Sequence, residues 1–388
     1  MNRSTSHLSA PRGLRNLIIC TRSKRDLLFV TVALSFLLFV LAPQARAACR
    51  DGCFNSDTFL GEDALSLNGG IYNTAIGRGA LFSDIDGQDN TALGDGALYK
   101  NTRGSGNTAT GSGALLNNTT GAANTATGYF ALLNNTGSNN TAIGSQALYH
   151  NTIGADNSAT GNSALLTNTT GDNNTADGSQ ALFSNQTGGY NTGHGFKALY
   201  SNISANYNTA TGALALLNNT GAQNTATGTF ALQTNATGQN NTATGLQALF
   251  NNTGGSSNTA DGINALLKNT SGSNNIALGV SAGSNLTTGS NNIDIGAPGV
   301  AGEAAKIRIG KQGTQNGTFI AGIYNVAVTG SPVVVNSSGK LGIGGTSSRA
   351  LRKRSNQWTK RVKRFSCSNR SPSATSTTLI RMPFRSLG

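Results

Sequence analysis

Proline, cysteine, tryptophan, histidine and charge are all scarce in this chain, whose 388 residues include 6 Pro, 4 Cys, 1 Trp, 3 His and only 11% charged residues. An ordinary soluble domain has about 25% charged and 45–50% apolar residues; here the hydrophobic share is 37% and the aromatic share 6%. Such a composition argues against a multidomain enzyme with conventional cores. So few histidines leave little for acid–base catalysis, and cysteines without histidine nearby make a poor metal site. Neither a cofactor nor a metal is expected. What the chain has in quantity is glycine, 51 residues of it.

A formal charge of +13 would ordinarily suggest nucleic acid or an anionic surface as partner. Its placement argues otherwise. Residues 1–47 hold seven basic residues and one acid, residues 349–388 hold eleven and none, and the segment 48–348 holds ten against fourteen acids. The body is mildly acidic, and no nucleic-acid partner is expected.

The N-terminal excess reads as an export address. Arg12, Arg15, Arg22, Lys24 and Arg25 precede an apolar run from Leu27 to Ala42, followed by Ala45 and Ala47 in the spacing a signal peptidase accepts. Residues 1–47 are therefore expected to be a signal peptide, and the protein to be secreted or on the cell surface; an uncleaved membrane anchor is the alternative. Cys49 and Cys53 then lie in a short cap, 48–56, where a disulfide between them suits an oxidising compartment.

The middle of the chain is a repeat. The block Asn-Thr-Ala-x-Gly starts at Asn73, Asn90, Asn107, Asn124, Asn140, Asn157, Asn174, Asn191, Asn208, Asn224, Asn241 and Asn258, with variants at Asp57, Asn275 and Asn292. The fifteen starts are 17 residues apart, or 16 in three cases. An Ala-Leu pair follows the glycine at a fixed distance in the blocks from Asp57 to Asn258 (Ala97-Leu98, Ala164-Leu165, Ala248-Leu249), and a second Asn-Thr with Gly comes next (Asn118-Thr119-Thr120-Gly121).

The Ala-Leu pairs have no apolar partners at helical spacing, and Gly, Asn and Thr recur too often for helix. Seventeen residues suit one coil of a parallel β-solenoid read as strand, glycine corner, short strand and Asn/Gly turn. The fold expected is all-β, with about fifteen such coils over 57–296. Period-two alternation places Ala75, Ala142 and Ala226 inside and the flanking Thr and variable residues outside, with Leu closing the far side of the core. Coils repeat about every 4.8 Å, so the stack would run on the order of 70 Å, with ladders of stacked Asn amides along it. A core of Ala and Leu is thin, so several chains are expected to associate laterally.

The Asn-Thr-Ala-x-Gly blocks behind a signal segment resemble the head repeats of trimeric autotransporter adhesins (YadA-like) over 57–296. The resemblance implies a parallel β-roll, a homotrimer and a surface ligand on a host cell or matrix. Units in those heads are usually shorter, and no terminal membrane-anchor strands are seen here.

In 297–346, read as a β stalk or cap, Lys306–Gly310, Thr318–Gly322 and Val333–Asn336 read as strands, and Ser337–Gly342 as a turn into another. This stretch and Thr346-Ser347 resemble the lead-in to the self-cleaving intramolecular-chaperone domain of phage tail fibres. Ser347 matches the serine at the cut, but Arg352 stands where that family has its lysine. The tail 347–388, basic and without strand alternation, is expected to be disordered or to come from a frameshift near Arg349, because a shifted reading frame permits an acid-containing sequence resembling that domain. A genuine basic tail binding anionic surfaces is the alternative.

The function expected is an exported structural or adhesive surface fibre, not an enzyme. A tail-fibre-like protein is the second reading. The candidate contact residues are Thr108, Thr110, Thr125, Thr127, Thr209, Thr211, Thr242 and Thr244, two outward threonines on each of several coils, an arrangement that also resembles threonine-rich ice-binding solenoids. His150 and His194 are read as lone surface positions. Asp177 and Asp261, at the same repeat position as His194, are read as too far apart to act as a carboxylate pair.

Overall fold

The computed structural model describes residues 56–67, 69–320 and 333–343. The segment 1–47 expected to be a signal peptide, Cys49, Cys53, Ser347 and the tail lie outside the described residues. The chain divides into two units at Gly310 and Lys311.

The first unit is a parallel β-solenoid with no helix among the described residues. Its three-residue strands are β1 (Thr58–Leu60), β2 (Thr74–Ile76), β3 (Thr91–Leu93), β4 (Thr108–Thr110), β5 (Thr125–Thr127), β6 (Thr141–Ile143), β7 (Ser158–Thr160) and β8 (Thr175–Asp177). They continue as β9 (Thr192–His194), β10 (Thr209–Thr211), β11 (Thr225–Thr227), β12 (Thr242–Thr244), β13 (Thr259–Asp261), β14 (Ile276–Leu278), β15 (Ile293–Ile295) and β16 (Ile307–Ile309). All sixteen form one sheet in chain order. Equivalent residues stack on one another, Thr91 on Thr108 and Ala92 on Ala109.

The alternation is as the repeat predicts. From β2 to β14 the central residue is buried, while most flanking side chains are exposed and the rest half-buried. Ala92, Ala109 and Ala126 meet Leu98, Leu115 and Leu132 in a continuous core, all at 0% exposure.

Two asparagine ladders carry the buried polar groups. Asn90 Oδ1 accepts from the Asn107 backbone N–H at 3.0 Å and from its Nδ2 at 3.1 Å. In the second ladder Asn118 Nδ2 donates to Asn101 Oδ1 at 3.0 Å. Both ladders also converge on a turn carbonyl, since Asn107 Nδ2 and Asn118 Nδ2 each reach Gly121 O at 2.9 Å. That convergence favours the glycine of the second Asn-Thr-x-Gly, since a Cβ at Gly121 would lie 2.3 Å from Gly137 O and 2.4 Å from Asn118 Oδ1, although Ala205 holds the same place in one coil and still accepts from Asn191 and Asn202. Most buried amides are thereby satisfied, Asn208 Nδ2 and Asn269 Oδ1 being exceptions, in a core that apolar area alone would hold weakly.

A 16-residue coil loses its residue in this turn and keeps the ladder. Asn135 Nδ2 reaches Gly137 O at 2.8 Å across a separation of two residues rather than three, while Thr125 still pairs with Thr141.

The structure differs from the expected unit in three places. The Ala-Leu segment is not a short strand but a pair of tight turns, with Ala97 N–H donating to Gly94 O and Tyr99 N–H to Gly96 O, both at 3.3 Å. Its leucines take left-handed backbone, φ 52° at Leu98 and Leu115, which costs about 1–2 kcal/mol each. Full burial of each leucine side chain contributes about 1.5–3 kcal/mol, and its N–H donates to the alanine of the next coil, as Leu98 does to Ala114 O at 3.0 Å.

Second, the sheet runs past 296. Lys306–Gly310 repeats the block, and the Lys306 N–H takes Asn292 Oδ1 at 3.1 Å, so β16 pairs with β15 although the connecting turn is shorter. Third, Thr318–Ile320 carries no strand.

The second unit contains β17 (Val333–Val335) and β18 (Leu341–Ile343), paired antiparallel. Asn336 Oδ1 closes the turn by accepting from the N–H groups of Ser338 at 3.1 Å and Lys340 at 2.9 Å, as an Asx turn requires.

Candidate functional site

The outward face of the sheet presents two ranks of side chains, one from the first and one from the third residue of each strand. The first rank is Thr or Ser on every strand from β1 to β13. In the second rank Leu60, Ile76 and Leu93 lie at one end, Leu278 and Ile295 at the other, and Thr, Asp, His and Ile143 between them.

The eight candidate threonines all lie on this face. Thr108 and Thr110 of β4 stand beside Thr125 and Thr127 of β5. Thr209 and Thr211 of β10 are joined to Thr242 and Thr244 of β12 through Thr225 and Thr227 of β11. These last two, not among the eight candidates, complete a six-threonine patch, and their place at the repeat spacing is the signal that points to them.

His194 is not a lone position. In-register stacking of β8 on β9 brings His194 Nδ1 to 3.0 Å from Asp177 Oδ2, with both side chains about half exposed. The two residues are one 17-residue repeat apart, and that spacing was the available signal. His150 is exposed beside Tyr149. Asp177 and Asp261 lie five strands apart, about 24 Å, so they are not a carboxylate pair.

A further rank lies outside the sheet and was not read from the sequence. From the second coil on, the residue after the Ala-Leu pair is Phe82, Tyr99, Leu116, Leu133, Tyr149, Leu166, Phe183, Tyr200, Leu217, Gln233, Phe250 and Leu267, apolar or aromatic in all of these but Gln233 and half-buried in each. Phe82 stacks on Tyr99 and Phe183 on Tyr200, each with ring centres 4.9 Å apart. The rank extends roughly 50 Å along the solenoid.

Carboxylates are buried near both ends. Asp84 occupies the second ladder's first position and accepts from Asn101 Nδ2 at 2.9 Å and Asn73 Nδ2 at 3.1 Å. Burial pushes its carboxyl up to about 6 despite these donors. Asp294 replaces the inward alanine of β15, and neither of its oxygens has a hydrogen-bond partner among the described residues. Burial pushes it too up to about 6, with Glu303 adding to the rise and Arg308 opposing it. Arg308 is held by Glu303 through Nε at 2.7 Å and Nη2 at 2.5 Å, a pairing that keeps Glu303 below the usual carboxylate range.

Among the described residues no three His, Cys, Asp or Glu side chains gather as a metal site would need, and no helix is long and apolar enough to cross a membrane. What the arrangement offers is repetition, the same shallow polar contact presented at strand after strand. Comparison of the chain with protein-family models, with curated proteins and with solved structures gives no match.

Proposed function

We propose that this protein is an exported structural and adhesive fibre, whose solenoid is a spacer or head making many shallow contacts with a cell or matrix surface. The observation that carries this reading is the in-register rank of outward threonines from β1 to β13, which offers one contact chemistry many times over. Individually weak contacts on one rigid support combine into strong attachment.

Self-association, as a homotrimer in line with the adhesin-head resemblance, is part of the proposal. The rank of half-buried Leu, Phe and Tyr beside the core supports it. A strip about 50 Å by 10 Å covers roughly 500 Å², comparable with the largest apolar patches on monomers and below the about 800 Å² per partner of a stable interface. Neighbouring side chains such as Phe130, Leu214 and Phe230 would have to contribute to the contact.

Two measurements on the full chain test the reading. Cell fractionation is expected to find it outside the producing cell, and retention inside would refute export. Sedimentation is expected to give a trimer that Leu166→Ser with Leu217→Ser weakens, and a stable folded monomer would refute assembly.

A further inference from the structure

Most coils present Thr, Ser, Asn, Gln or Gly at many of their outward positions, but the coil 191–207 breaks this pattern several times in succession. His194, Phe196, Lys197 and Tyr200 follow one another around the Gly195 corner, and no other repeat combines histidine, lysine and aromatics. Lys197 Nζ lies 5.2 Å from the ring centres of both Phe196 and Tyr200, and Phe183 of the preceding coil stacks on Tyr200. Phe196 is 49% exposed. Lys197 has no carboxylate within ion-pair distance among the described residues, unlike Arg78, Arg103 and Arg308. His194, three residues before it in the chain, pairs with Asp177, so the histidine of a donor–acceptor pair, an exposed ring and a cation without a carboxylate partner fall within two residues of Gly195.

We propose that this corner binds an acidic carbohydrate, a glycan bearing uronate or a similar carboxylated sugar. Each feature has a counterpart in that ligand. A pyranose ring stacks its C–H face on an exposed aromatic, which offers apolar area at low entropic cost. Hydroxyls bond to the Asp177–His194 pair, and the sugar carboxylate meets Lys197, whose position the two rings already hold. A nucleic acid fits poorly, since one lysine on a mildly acidic body cannot match successive phosphates. The site borders the threonine patch, where His194 stands beside Thr211, and Tyr200 belongs to the half-buried rank, but the ligand contacts are made by Asp177, His194, Phe196 and Lys197 and do not depend on export.

The test follows from the repeat itself. His194→Thr, Phe196→Ser and Lys197→Gln install what β10 and the preceding coil carry at the same positions, namely Thr211, Ser179 and Gln180. Gln180 has the left-handed φ of 59° that position 197 requires, against 54° at Lys197. Hydrogen exchange of the full chain would be followed during titration with trigalacturonate, and with a neutral galactose trisaccharide as control. Expected is protection confined to 174–217, given by the acidic sugar at a concentration at least tenfold lower than the neutral one, and weakened at least tenfold in the triple variant. Lys197→Gln alone is expected to remove the preference for acid while leaving exchange without sugar unchanged. No protection at these coils, equal protection by both sugars, protection by a short oligonucleotide instead, or undiminished protection in a folded triple variant would overturn the proposal. Because protection is read coil by coil, binding by the basic tail does not mimic it.

Discussion

Replacing Asp294 by alanine should stabilise the C-terminal end of the solenoid, and by an amount that depends on pH. Asp294 stands where β13 and β14 have Ala260 and Ala277, and it is 1% exposed. A Cβ on Gly299 would lie 2.9 Å from its Oδ2 and 3.0 Å from Leu286, and one on Gly283 would lie 2.7 Å from Leu266. The carboxyl is thus packed between glycines and leucines, and the charged groups it faces among the described residues are Glu303 and Arg308, which are paired with each other. Its folded pKa of about 6 against an ordinary 3.8 corresponds to about 3 kcal/mol. Because the folded value is raised, the unfolded state ionises first; stability is greatest below about pH 4, declines as pH rises to about 6, and stays low above it. The readout is hydrogen exchange of β14–β16 amides, corrected for intrinsic rates, because a solenoid opens locally rather than all at once. Expected at pH 7 is about 100-fold greater protection in Asp294→Ala than in the parent, with the parent's decline between pH 4 and 6 abolished. A parent insensitive to pH, or an alanine variant less protected at pH 7, would refute the argument.

Asn157→Ala removes the acceptor of the Asn174 backbone N–H, while Gly171 O keeps Asn168 Nδ2 at 2.9 Å. One buried donor is left unsatisfied at about 1–3 kcal/mol, and exchange protection on β7 and β8 should fall about tenfold or more while distant coils stay unchanged. Gly161→Ala should be worse, since φ is +131° and the new Cβ would lie 2.7 Å from the Gly178 carbonyl. Circular dichroism and limited proteolysis should report a break in the stack there, and a native-like, resistant variant would show that the coils can separate cheaply. Thermal hysteresis should be absent, because His194 and Asp261 bound the larger threonine patch at three strands; measurable hysteresis would make ice the ligand of that face.

Much of the solenoid was legible in the repeat. A period of 17 with Ala at one fixed place decided parallel stacking and the inward side of Ala75, Ala142 and Ala226, and the recurring Asn decided that there would be ladders. The Ala-Leu segment was misread as strand because local pattern does not reveal left-handed backbone. Leucine tolerates that conformation here only because Ala114 and its equivalents stand ready to accept its N–H and the core to take its side chain. The Asp177–His194 pair and the half-buried rank from Phe82 to Leu267 were equally present at the repeat spacing, but they are visible only when every position, and not just the conserved-looking block, is stacked on its neighbour.

By itself, then, the sequence determined the coil, its period and its inward face, because each follows from residues a few positions apart. The tertiary structure decided what those coils bring together: which outward side chains meet across strands, that Lys306–Gly310 rejoins the sheet, and that Asp294 is sealed without a partner. These depend on residues fourteen to seventeen positions apart coming within about 5 Å, and only the stacked solenoid places them there.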